Sequence, residues 1–129
     1  KLRAGDILFI DSSHVIRPQG DVTHLYLHIL PGLPDGVIVH VHDIFTPRDY
    51  PRSWLAERVW LWNEQYLLEA LLSGGGWQVL AAVNHLYRDA SGQLDAGCGP
   101  HVGRGQPTSF YMVRNSARPR IAPTSPSSA

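Results

Sequence analysis

The sequence predicts an α/β fold: a strand–helix–strand unit followed by a pair of antiparallel strands. Three observations carry this. Asp6-Ile7-Leu8-Phe9-Ile10-Asp11 is an apolar run between two acids that does not alternate, as in a strand covered on both faces. Val37-Ile38-Val39-His40-Val41-His42 is a second run, β-branched at most of its apolar positions. An apolar stripe at helical spacing lies between them, and the whole unit takes about 37 residues. That is a βαβ unit, whose crossover is right-handed.

Each element has its own signals. Pro18-Gln19-Gly20 breaks the chain after the first strand, and Asp21 is placed to cap a helix. Val22, Leu25, Tyr26, Ile29, Leu30 and Leu33 then form one stripe. Pro31 and Gly32 stop the helix, and Pro34-Asp35-Gly36 makes a turn into the second strand. Residues 44–53 form a loop carrying Phe45, Pro47, Tyr50 and Pro51. A helical region is expected over roughly 52–73, closed by Gly74-Gly75-Gly76. Residues 77–83 read as a third strand, 89–107 as a loop, and 109–114 as a fourth strand. With only a loop between the last two strands, they are expected to pair antiparallel. The Ser-, Pro-, Ala- and Arg-rich residues 115–129 are expected to be a disordered tail, leaving 1–114 as the domain.

Composition narrows the function classes. The chain has 129 residues, 43% hydrophobic and 17% charged, which suits one domain, or part of one, with a buried core. Eleven basic residues balance eleven acidic ones, so no charge excess directs the chain to nucleic acid or an anionic membrane. No apolar run approaches the roughly 20 residues of a spanning helix. The lone cysteine, Cys98, excludes an internal disulfide. With no secretory signal visible, a cytoplasmic location is expected. The only methionine is Met112, and the first strand opens almost at once. Further chain ahead of Lys1 is therefore expected.

In parallel sheets, chemistry gathers at the carboxyl ends of strands. Here those ends are Asp11-Ser12-Ser13-His14 and His40-Val41-His42-Asp43. Two carboxylates and an imidazole in one cleft suit a divalent cation. His14, three residues past Asp11, is placed to act beside it as a general base. The alternatives are a turn-capping Asp11, an ordinary loop His14, and a scaffolding His42. His40, alternating with valines, reads as a satisfied buried histidine. His24 and His28 share a helix face opposite the apolar stripe, so a solvated face is expected. Gly97-Cys98-Gly99-Pro100-His101-Val102-Gly103 neither follows a strand nor opens a helix, so its likeness to a dinucleotide loop is accidental. Trp54, Trp60, Trp62, Tyr66 and Trp77 read as core aromatics. Phe45 and Tyr50, on the loop after the second strand, are expected to contact substrate.

Three stretches together carry a resemblance: residues 5–14, residues 36–45, and Trp62-Asn63-Glu64-Gln65-Tyr66-Leu67-Leu68. Over about residues 2–114 the chain resembles the C-terminal half of a class I S-adenosylmethionine-dependent methyltransferase, of the methyltransferase domain 24 type. The resemblance implies a Rossmann-like sheet of order 3-2-1-4-5-7-6. The strands here would be the fourth to seventh, the last antiparallel, with the N-terminal half absent. It implies O-methylation of a small molecule or sugar. His14 would be the base, and Asp11 and Asp43 would be ligands of Mg or Mn. The family pattern has an acid where His42 stands, so His42 completes the implied ligand set. The family's glycine-rich loop and ribose-holding acid would lie ahead of Lys1. These residues alone are therefore expected to bind S-adenosylmethionine poorly or not at all. Two other readings stay open. One is a non-haem iron oxygenase using His14, His42 and Asp11. The other is a non-catalytic domain that forms homo-oligomers through an open sheet edge.

Overall fold

The computed structural model describes residues 1–98 and 105–117. The chain is α/β, with one open, mixed sheet of four strands. The strands are β1 (Ile7–Ile10), β2 (Ile38–Val41), β3 (Trp77–Ala82) and β4 (Phe110–Arg114), in the order β1-β2-β4-β3. β1 and β2 are parallel, with Ile10 level with Val41. β4 runs antiparallel to both β2 and β3. The expected strand–helix–strand unit and the antiparallel final pair are thus both present.

The crossover helix is not uniform. α1 (Asp21–His24) widens into a π-helical segment, Leu25–Ile29, and closes in a 3₁₀ turn, Leu30–Gly32. Residues four apart overshoot one α-helical turn by about 40°. The wider π segment compensates and keeps Val22, Tyr26 and Leu30 buried on one side. At the turn into β2, Gly36 has φ +82° and passes so close to Ala4 that a Cβ would lie 2.7 Å from that side chain.

Three expectations need correcting. β1 is not covered on both faces: Ile7 is 60% and Phe9 55% exposed, whereas Ile10 is buried. The core lies on one face only, where Ile10, Val39, Val41, Phe110 and Met112 pack with Val22, Tyr26, Leu30 and Leu68. The region 52–73 is two helices, α2 (Arg52–Ala56) and α3 (Glu64–Ser73), separated by an irregular stretch over 57–63. Within that stretch, Val59 takes a left-handed φ of 54°, which no helix accepts. Finally, the chain between β3 and β4 holds α4 (Val83–Asp89) and α5 (Ser91–Cys98). Both are short, and two glycines interrupt α5, so neither shows a clear helical period. The expected tail lies, beyond residue 117, outside the described residues, as does most of the Gly97–Gly103 stretch.

Candidate active site

Parallel register brings the two strand ends together. His42 donates its backbone N–H to the Ile10 carbonyl at 2.9 Å, so Asp11 and His42-Asp43 leave the sheet side by side. Among the non-glycine residues, His14 and Asp43 stand out with left-handed φ values of 57° and 58°. Such conformations cost roughly 1–3 kcal/mol and persist where surrounding contacts impose them. At His14, the backbone N–H donates to Ser12 Oγ at 3.0 Å, and the carbonyl accepts from Asn63 N–H at 2.9 Å and Glu64 N–H at 3.2 Å. At Asp43, Oδ1 accepts from Thr108 Oγ at 2.8 Å. These clamps turn the two side chains toward each other.

His14 is the centre of this cluster and only 5% exposed. Its Nε2 lies 3.5 Å from Asp11 Oδ1 and 3.8 Å from Asp43 Oδ2. Its Nδ1 lies 2.9 Å from Glu64 Oε2. The indole of Trp62 covers the imidazole, with ring centroids 4.1 Å apart. Burial lowers the basicity of the ring. The hydrogen bond and charge of Glu64, then the charges of Asp43 and Asp11, outweigh burial and raise its pKa above the ordinary value. An imidazole made more basic than usual therefore faces two carboxylates.

The structure thus brings Asp11, His14, His42 and Asp43 together. His42 Nδ1 is 3.2 Å from Asp43 Oδ1 and 3.9 Å from Asp11 Oδ1. It is not aligned for a hydrogen bond to either. Among the described residues, no group of three or more His, Cys, Asp or Glu is arranged to hold a metal ion. The expected set Asp11, His42 and Asp43 stands side by side at the two strand ends but forms no such group, with or without His14.

Phe45 and Tyr50 fall elsewhere than expected. They are 2% and 4% exposed, inside a cluster with Trp54, Trp62 and Tyr66. Gln65 locks their loop: its Oε1 accepts from Phe45 N–H at 3.1 Å, and its backbone N–H donates to Tyr50 Oη at 3.2 Å. They brace the wall from behind, and Trp62 of the same cluster forms its surface against His14. His40 is half-buried between Phe9 and Tyr111, with Nε2 2.9 Å from Ser109 Oγ. His24 and His28 are exposed, as expected of a solvated face.

Sequence reasoning missed Glu64. A signal was present: Glu64 precedes Leu68 by four residues, so it shares the apolar stripe of α3. It is 0% exposed. A carboxylate on a buried helix face needs a partner, and the partner is His14.

No protein-family model matches the chain, and neither does any curated protein or solved structure.

Proposed function

We propose that this chain carries the acceptor side of an S-adenosylmethionine-dependent methyltransferase that methylates a hydroxyl of a small molecule or sugar. His14 is the general base. The observation that carries the reading is the buried His14 imidazole, with Nε2 facing Asp11 and Asp43 at the ends of two parallel strands. The sheet supports it as well. Its order β1-β2-β4-β3, with β4 reversed, is the one the resemblance implies for the last four strands of such a domain.

A hydroxyl entering between the carboxylates gives its proton to Nε2 as its oxygen becomes nucleophilic. The imidazolium that results is stabilised by Glu64 on one side and the two aspartates on the other. Trp62 limits the ring to one orientation. No residue here is assigned to the methyl donor. Gly74-Gly75-Gly76 follows α3, and the Gly97 stretch begins within α5, so neither is a glycine-rich turn after a strand. Neither stretch supplies the turn that would hold the donor.

The test is transfer of label from methyl-labelled S-adenosylmethionine to a panel of small hydroxyl acceptors and sugars by the full gene product. Label in a methyl ether that disappears with His14→Gln supports the reading. No transfer to any hydroxyl, or full transfer by His14→Gln, overturns it.

A further inference from the structure

The ring of a neutral histidine has two forms, and only one leaves Nε2 able to accept a proton. Nothing in the strand ends decides between them. Asp11 and Asp43 stand 3.5 and 3.8 Å from Nε2, too far to impose a hydrogen bond there. The decision falls to the atoms at Nδ1.

We infer that Glu64 is the positioning residue of this site, its carboxylate fixing the proton of His14 on Nδ1 and leaving Nε2 as the acceptor between Asp11 and Asp43. This rests on the reading of His14 as the base. Four observations converge on it. Glu64 Oε2 lies 2.9 Å from His14 Nδ1 and accepts from Ser12 Oγ at 2.6 Å. Oε2, already the acceptor of the Ser12 hydroxyl, is placed to accept from Nδ1 as well, so Nδ1 donates. Glu64 is wholly buried, so no solvent competes for that oxygen. The backbone N–H of Glu64 also reaches the His14 carbonyl at 3.2 Å, so one residue holds both ends of His14. Finally, Ser12 Oγ accepts the His14 backbone N–H while donating to Glu64, which ties the left-handed turn to the same carboxylate.

The buried Tyr26 hydroxyl lies beside the Glu64 carboxylate. Burial, and then the charge of Glu64, hold the Tyr26 phenol well above its usual pKa, so it stays neutral beside the carboxylate.

The experiment is long-range proton–nitrogen correlation of imidazole-labelled full gene product, at a pH where His14 is neutral. The expected spectrum places the proton on Nδ1 in the wild type. In Glu64→Ala it is expected on Nε2 or exchanging between the two nitrogens. Glu64→Gln, which can still accept through its amide oxygen, is expected to recover the Nδ1–H form. In the methyl-transfer assay, Glu64→Ala is expected to lower kcat about 100-fold, with KM changed less than about 2-fold. A wild-type proton on Nε2, or an unchanged tautomer in Glu64→Ala, overturns the inference. The wild-type spectrum decides even if Glu64→Ala does not fold. The tautomer is read without donor or acceptor, so the two readings fail separately. Nδ1–H with a fully active His14→Gln defeats only the base. Nε2–H with an inactive His14→Gln defeats only the positioning role.

Discussion

The imidazole of His14 lies against the indole of Trp62 with ring centroids 4.1 Å apart and planes 31° from parallel. Trp62 in turn stacks on Trp60 at 4.8 Å, and the Arg58 guanidinium sits 4.8 Å from the Trp60 ring centroid. The His14 imidazole thus abuts one end of an aromatic stack whose other end meets Arg58. Trp62→Ala is expected to destabilise by about 2–4 kcal/mol, as large-to-small aromatic changes do. Trp62→Phe should recover most of that, because a ring still covers the imidazole. Urea unfolding of the two variants checks this.

His14 also makes stability depend on pH. Its folded pKa is raised, so its contribution is fully present below the unfolded value near 6.5 and is lost as pH rises through the folded value. Wild-type Tm is therefore expected to decline as pH rises above about 6.5. In His14→Gln this part of the decline is expected to vanish. Thermal melts across that range measure it. A wild type that gains stability from this group on alkalinisation contradicts the sign.

Asp43 combines a left-handed backbone with a charge facing His14. Asparagine tolerates that backbone and can still accept from Thr108. Asp43→Asn is therefore expected to stay within about 1 kcal/mol of wild-type stability. Methyl transfer should fall at least about 10-fold, because one carboxylate facing the imidazolium is gone. Denaturant melts and the transfer assay, run on one preparation, separate the two effects.

Val59 is a β-branched residue at φ 54°, and its side chain is 66% exposed. Strain there is not compensated by burial. Val59→Gly is expected to raise stability by about 0.5–1 kcal/mol, the relief of strain exceeding the added flexibility of the unfolded chain. A lower urea midpoint would contradict this.

Much of the architecture was legible because it depends on local periodicity. The apolar runs at 6–11 and 37–42, with a helical stripe between them, specify β1, β2 and the crossover wherever the chain places them. Asp11, His14, His42 and Asp43 follow from those runs, since strand ends are where side chains leave a parallel sheet. Glu64 and Trp62 were not legible as site residues. They reach His14 only because α3 docks its first turn on the loop after β1, through bonds to the His14 carbonyl.

The linear order of residues decided which segments become strands and which four polar side chains stand at their ends, because both depend on neighbours within a few positions. Only the packed chain decided which nitrogen of His14 meets a carboxylate, that Phe45 and Tyr50 turn inward, and that β1 keeps one face open. Those outcomes depend on contacts between residues up to 50 apart in sequence, and no local pattern encodes which of them form.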